Sequence, residues 1–151
     1  MKKLFSLAIM ILSILGFSVC QASISTDRMN AGGIYFGQSA SEVVSIYGQP
    51  VNTREETKFP GVRYIYGRNG TIFDIIFSNG IVRGVVVKGN NGIATTDGIK
   101  VGTPVSEVKR ILGKPDKETA NSLEYREPSN LRFINFIIRN NFVISYSTWQ
   151  R

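Results

Sequence analysis

The sequence predicts an α+β fold of two tandem repeats, each a short helix followed by three strands, with the helices packed on one face of an antiparallel sheet. The first observation is internal similarity: GIYFGQSASEVVSIYGQP (33–50) returns as GIKVGTPVSEVKRILGKP (98–115), with half of the positions identical. The second is that each phrase has the pattern of a helix that ends at Gly-x-Pro. The third is that apolar stretches of strand length follow each phrase.

The two phrases predict helices with different starts. Ser39 and Glu42 form a capping-box pattern in the first phrase. In the second, Thr103 is the expected cap and Pro104 the first helical residue. Helices this short are not stable alone, so each is expected to dock on a sheet through an apolar face. That face comprises Val43 and Ile46 in one helix, and Val105, Val108, Ile111 and Leu112 in the other.

Six strands and two hairpins are predicted. The strands are 62–67, 71–77, 81–87, 122–126, 131–139 and 142–149. Asn79-Gly80 and Asn140-Asn141 are signals for two-residue hairpin turns, which set the register of the strands they join. Continuous pairing from these turns places Gly84 and Ser145 on the face that receives the helices. It places five residues on the opposite face, which we call the open face: Arg83, Asn135, Arg139, Phe142 and Tyr146.

The chain begins with the pattern of a secretory signal peptide. A basic start at Lys2 and Lys3 precedes a short apolar run and small residues that end at Ala22. The predicted organisation is a signal peptide (1–22), an N-terminal linker (23–32), repeat 1 (33–88), a connector (89–97) and repeat 2 (98–151), with 33–151 forming one domain. The alternative is a lipoprotein anchored at Cys20, although FSVC departs from the usual box before a lipidated cysteine.

Composition excludes several kinds of chemistry. The chain has no histidine, which excludes Ser-His-Asp and Cys-His catalysis. After cleavage at Ala22 it would have no cysteine either, so no zinc site and no disulfide are expected. We expect no enzyme activity, cofactor or metal, because no spacing of carboxylates or of Ser and Lys argues for one. The chain after Ala22 has 16 basic and 11 acidic residues, so its net charge is positive. This positive charge either keeps the protein soluble or attracts anionic components of the envelope. Because the basic residues are scattered, nucleic acid is a disfavoured partner.

The repeated phrase Gly-x-(Ser/Thr)-x-x-Glu-Val-x-x-(Ile/Leu)-x-Gly-x-Pro, followed by three strands, resembles a known pair of families. They are the β-lactamase-inhibitor-protein-like (BLIP-like) domains and the SmpA/OmlA outer-membrane assembly lipoproteins. The resemblance covers Gly33 to Trp149, and its duplication is similar to the tandem layout of the inhibitors. It implies that aromatic and polar residues of the open face bind a protein partner. The inhibitors' disulfides have no counterpart here, so it does not imply β-lactamase as the target.

The leading functional hypothesis is a non-catalytic, exported protein of the bacterial envelope, periplasmic or extracellular. It would bind a protein partner through the five open-face residues, in an assembly or inhibitor-like role. The alternative is a binding module for anionic envelope lipid or cell-wall polymer. Binding to a polyanion weakens steeply with salt, so a salt titration separates the two hypotheses.

Overall fold

The computed structural model describes residues 23–57 and 59–151, which form one antiparallel sheet, two α-helices and a short 3-10 helix. The helices are the 3-10 helix (Thr26–Arg28), α1 (Ala40–Tyr47) and α2 (Val105–Leu112). The strands are β1 (Asn52–Glu55), β2 (Val62–Ile65), β3 (Ile72–Ser78), β4 (Ile81–Lys88), β5 (Lys117–Thr119), β6 (Ser122–Arg126), β7 (Arg132–Arg139) and β8 (Phe142–Gln150). The predicted signal peptide and Cys20 lie outside the described residues.

The predicted fold class, two helix-plus-three-strand repeats, is wrong. The structure is mostly a single sheet of 8 strands in the order β1-β2-β3-β4-β8-β7-β6-β5. Each half of the chain contributes four strands, and β4 pairs with β8 where the halves meet. The sheet is therefore continuous across the molecule, with only two short α-helices beside it.

The strands that the sequence did not predict are the two edge strands. β1 reads NTRE and β5 reads KET, and every residue in both is exposed. Neither has an apolar alternation to mark it, because both are held by backbone pairing with β2 and β6 and bury no apolar side chain. Short, charged edge strands also discourage edge-to-edge association of sheets.

The helix ends follow local sequence signals. The side chain of Ser39 accepts a hydrogen bond from the backbone of Glu42, and the Glu42 carboxylate accepts one from the backbone of Ser39, so the predicted capping box is confirmed. Helix α2 starts one residue later than predicted. Pro104 is its N-cap, and Thr103 Oγ1 instead accepts a hydrogen bond from the Lys100 backbone at 3.0 Å.

Two tyrosines attach the helix C-termini to the sheet. The Tyr66 hydroxyl donates to the carbonyl of Gly48 at 2.9 Å, and the Tyr125 hydroxyl donates to the carbonyl of Gly113 at 3.0 Å. Both glycines are the C-cap residues of their helices and have positive φ, as the sequence predicts. Each helix is thereby held over its own half of the sheet.

The core lies between the helices and one face of the sheet. Helix α2 buries Val108 and Leu112 there, whereas α1 buries only Val43. Ile46, predicted to dock, is 51% exposed. The strands contribute Phe73, Ile75, Phe77, Val82, Val85, Val87, Leu123, Tyr125, Ile134, Phe136, Ile138, Val143 and Tyr146. Residues 23–32, predicted as a linker, add Ile24, Met29 and Ala31 to this core.

A β-bulge lies near the turn of the β3–β4 hairpin. The register passes from the pair Phe77 and Val82 to the pair Ile76 and Gly84, which leaves Arg83 as an extra residue. Every side chain of β4 beyond the extra residue changes face relative to an uninterrupted hairpin. Gly84 therefore belongs to the open face, and the predicted assignment is wrong at this position.

The β7–β8 hairpin contains a bulge at the matching place. Its register passes from the pair Ile138 and Val143 to the pair Ile137 and Ser145, which leaves Ile144 as the extra residue. The predicted two-residue turn is confirmed, because Asn140 and Asn141 both have positive φ. The turn was therefore predicted correctly, and the register beyond it was not.

Candidate functional site

The open face carries a cleft of about 390 Å³. Its floor comes from two neighbouring strands of the C-terminal half, and its wall comes from β2 and the preceding loop of the N-terminal half. The lining residues are Glu56, Phe59, Arg63, Phe133, Asn135, Ser147 and Trp149.

Strand alternation places the floor residues side by side. Phe133 pairs with Trp149 and Asn135 pairs with Ser147 in the β7–β8 ladder. Residues two apart along a strand share a face, so all four side chains point away from the helices. The floor is therefore aromatic at one end and polar at the other.

Gly84 allows the indole of Trp149 to lie close to the sheet. The two residues are partners in the β4–β8 ladder. A Cβ at Gly84 would lie 2.6 Å from Trp149 Cε3 and 2.9 Å from the carbonyl oxygen of Thr148. Only glycine leaves this space open, so a residue of the N-terminal half positions an aromatic side chain of the C-terminal half.

The wall of the cleft is built around an ion-pair network. The guanidinium of Arg63 contacts Glu56 at 2.9 Å and Asp74 at 3.1 Å. Burial alone lowers the pKa of Arg63, but hydrogen bonds to Asp74 and Glu56 raise it above its ordinary value. Both carboxylates are therefore held as partners of one cation. Phe59 stands in the loop between β1 and β2 and completes the wall.

A smaller depression adjoins the cleft and shares Phe59 with it. It has a volume of about 220 Å³ and is also lined by Ser78, Arg83, Gln150 and Arg151. The guanidinium of Arg151 lies 5.8 Å from the ring centroid of Phe133. The two sites are therefore linked by aromatic residues as well as by position.

The structure brings together only part of the predicted site. Asn135 lines the cleft and Arg83 lines the adjoining depression. Arg139 stands six residues from Phe133 along β7, about 20 Å at the rise of a strand. Phe142, the first residue of β8, is 47% exposed and lies beside the N-terminus of α2.

The predicted placement of Tyr146 on the open face is wrong. Its side chain is fully buried on the helix side of the sheet, 5.8 Å from Phe136 between ring centroids. Its hydroxyl donates to the carbonyl of Ile93 at 3.1 Å. The physical reason is the bulge at Ile144, which moves each later residue of β8 to the other face.

Six cleft residues were missed by the sequence analysis: Glu56, Phe59, Arg63, Phe133, Ser147 and Trp149. The bulge at Ile144 explains two of them, Ser147 and Trp149, because both follow it in β8. A signal was present in β8, because continuous pairing places Ser145 and Ser147 in the core and leaves Tyr146 outside. Reversing that assignment buries the larger apolar side chain, which favours a bulge before Ser145. No pattern in the sequence indicates that Phe59, in the loop between β1 and β2, lines the cleft.

Positive charge is concentrated on the open face of the described chain. Strand alternation and the cleft geometry place eight cations there: Arg54, Arg63, Arg83, Lys88, Lys117, Arg126, Arg139 and Arg151. Three carboxylates share that face, and all are ion-paired: Glu56 and Asp74 with Arg63, and Glu124 with Arg126. The excess of basic over acidic residues therefore lies on the side that carries the cleft.

Comparison with known proteins identifies the fold rather than a family. No family model and no curated sequence matches the chain. An extracellular protein containing an SCP domain from Bacillus anthracis is similar with a TM-score of 0.56 at 8% identity, over 76% of this chain and 43% of that one. A cysteine-rich secretory protein from Staphylococcus aureus is similar with a TM-score of 0.53 at 12% identity, over 76% of this chain and 44% of that one. The chain thus spans less than half the length of either protein, and at these identities the likeness shows the fold alone.

A proposed β-lactamase inhibitor protein from Streptococcus mutans is also similar, at 13% identity over 74% of this chain and 82% of that one. Its TM-score is 0.34. No family model matches the chain, so the resemblance to inhibitor-like domains and to SmpA/OmlA stays a prediction. Among residues 23–57 and 59–151, none of the helices has the length and hydrophobicity that a membrane-spanning helix requires.

Proposed function

We propose that this chain is a non-catalytic, exported envelope protein that holds a protein partner against the open face of its sheet. The observation that carries the proposal is the cleft formed by Phe59, Phe133 and Trp149 on a face that neither helix covers. Aromatic residues and arginines are the usual energetic centres of protein interfaces, and here both types border one concave surface.

Export is supported by two observations. The first residues have the order of a signal peptide, from Lys2 and Lys3 to Ala22. Two solved structures with the same fold are described as extracellular or secretory proteins. The lipid-anchored form at Cys20 is the alternative, and the intact mass of the protein recovered from cells distinguishes a chain that begins at Ser23 from one that begins at a modified Cys20.

A non-catalytic role is supported by the state of the carboxylates beside the cleft. A general acid or base must be free to exchange a proton with a bound molecule. Glu56 and Asp74 are both ion-paired with Arg63, at 2.9 and 3.1 Å. The arrangement fixes the wall of a binding site better than it serves proton transfer.

Photocrosslinking from defined positions tests the proposal. A photoreactive amino acid in place of Asn135, inside the cleft, should give a covalent adduct with a protein when cells are irradiated. The same amino acid in place of Ser45, which is exposed on α1, is the matched control and should not give that adduct. An adduct from Ser45 with none from Asn135 would place the binding surface on the helix side.

The charge distribution favours one alternative, a module that binds anionic envelope lipid or wall polymer. Electrostatic attraction to such a surface falls within a Debye length and weakens with salt. Under this alternative, cells would yield no protein adduct from Asn135. The purified protein would sediment with vesicles of phosphatidylglycerol at low salt and be released at high salt.

A further inference from the structure

Most cations of the open face have no anion to pair with inside the described part of the chain. Arg54, Arg83, Lys88, Lys117 and Arg139 make no ion pair there. The carboxylates of this face are already engaged by Arg63 and Arg126. A partner that covers the face must therefore supply negative charge, because covering unpaired cations with neutral or basic groups is unfavourable.

The depression beside the cleft is suited to a carboxylate. Two of its lining side chains are the guanidinium groups of Arg83 and Arg151, and none is acidic. The Ser78 hydroxyl already donates to the carbonyl of Pro60 at 3.0 Å, which leaves the two arginines as the charged donors, beside the side-chain amide of Gln150. Guanidinium groups bind carboxylates through charge-assisted, often paired hydrogen bonds.

The cleft next to this depression is suited to an apolar side chain. Phe59, Phe133 and Trp149 supply the apolar part of this cleft of about 390 Å³, and Phe59 also lines the depression that holds the pair of arginines. A peptide can place an apolar side chain in one site and a neighbouring carboxylate in the other. A lipid headgroup surface could pair with the arginines, but it offers no side chain to fill the cleft.

We propose that the partner of this protein presents an acidic peptide segment. An apolar side chain of that segment occupies the cleft between Phe59, Phe133 and Trp149, and its carboxylates pair with Arg83 and Arg151. This inference rests on the proposed function and specifies the chemistry of the partner at the same site.

Selection from a displayed library of random dodecapeptides tests the inference directly. The protein is used in wild-type form, as the double variant Arg83→Gln with Arg151→Gln, and as Phe133→Ala. Lys100→Gln is the matched control, because Lys100 is an exposed cation beside α2 rather than on the open face. The chain contains a single tryptophan, so its emission reports directly on occupancy of the cleft by a selected peptide.

Enriched peptides should carry net negative charge beside an aromatic or large aliphatic residue, and their binding should change the emission of Trp149. The double variant should weaken them roughly tenfold, about the loss expected for removing rim charges that pair with a ligand. Phe133→Ala should weaken them at least as much, and Lys100→Gln should leave the affinity unchanged.

Three outcomes would overturn the inference. Neutral or basic peptides that lose binding with Phe133→Ala would refute the acidic chemistry and leave the open face as the binding surface. Peptides that bind all variants equally would refute both this inference and the proposed function. Absence of any enriched peptide, with salt-sensitive binding to phosphatidylglycerol vesicles that the double variant abolishes, would replace the peptide with an anionic lipid surface.

Discussion

The two halves of the molecule follow the same order of elements, a helix and then four strands, but they differ in the connection between the first two strands. In the C-terminal half only Ala120 and Asn121 separate β5 from β6. In the N-terminal half the corresponding connection runs over residues 56–61 and carries Phe59 to the cleft. A longer loop on a shared framework is therefore what gives the open face its wall.

The halves also differ in what they place on the open face. At positions related by 61 residues, Lys88 corresponds to Trp149 and Asp74 corresponds to Asn135. At these two positions the C-terminal half supplies an aromatic and a neutral polar side chain where the N-terminal half has charged ones. Because β4 pairs with β8, these groups meet at the centre of one sheet. The similar phrases therefore maintain the helices, whereas the site depends on positions where the halves diverge.

Substitutions in the two α-helices should show the largest difference in stability between the halves. Leu112→Ala in α2 should lower the free energy of unfolding by about 2–5 kcal/mol, because Leu112 is buried against the sheet. Ile46→Ala in α1 should change it by less than about 0.5 kcal/mol, because that side chain is 51% exposed. Urea denaturation measures both. Equal losses would mean that α1 and α2 dock alike and that Ile46 is buried in solution.

A substitution at Gly84, where the two halves are in contact, should have an intermediate effect on stability. Gly84→Ala introduces a Cβ that meets Trp149 at 2.6 Å, and overpacking of this kind costs about 1–3 kcal/mol. The indole must also move, so the emission of Trp149 should shift. Ser145→Ala, at the matching position of the other half, is the control and should leave that emission unchanged. An unchanged emission in Gly84→Ala would show that the indole does not rest on the sheet.

Removing the hydroxyl groups that anchor the helix ends should give the smallest difference in stability between the halves. Tyr125→Phe removes a fully buried hydroxyl that donates to Gly113, at an expected cost of about 1 kcal/mol in unfolding free energy. Tyr66→Phe removes the matching bond to Gly48 from a half-buried side chain and should cost less. Thermal denaturation at neutral pH compares the two variants. A larger loss of stability for Tyr66→Phe than for Tyr125→Phe would contradict the prediction that the anchor of the C-terminal half contributes more.

The same pair of variants differs in its response to alkaline pH. Burial raises the pKa of Tyr125, and the negative charges of Glu118 and Asp116 raise it further. The folded protein keeps this proton above about pH 10, where an unfolded chain releases it. The stabilisation is therefore complete below about pH 10 and declines as the pH rises beyond it. Tyr125→Phe should therefore reduce the loss of stability with rising pH more than Tyr66→Phe does. Equal dependence of stability on pH in the two variants would contradict the difference in burial between the two tyrosines.

Local sequence signals determined much of the framework. The capping box at Ser39, the glycine helix ends and the two hairpin turns were all predicted, because each depends on residues a few positions apart. Six of the eight strands were predicted from their apolar runs. Of the five predicted site residues, Asn135 lies in the cleft and Arg83 beside it.

Only the tertiary structure decided the remainder. The bulges at Arg83 and Ile144 place large side chains such as Val85 and Tyr146 in the core, and that choice depends on helices distant in sequence. The edge strands form because neighbouring strands offer backbone partners, since their own side chains give no signal. The cleft unites a loop at Phe59 with strands of the other half. Local patterns set turns and helix ends because those interactions are local, whereas the faces of the sheet and the site on it follow from what packs against each face.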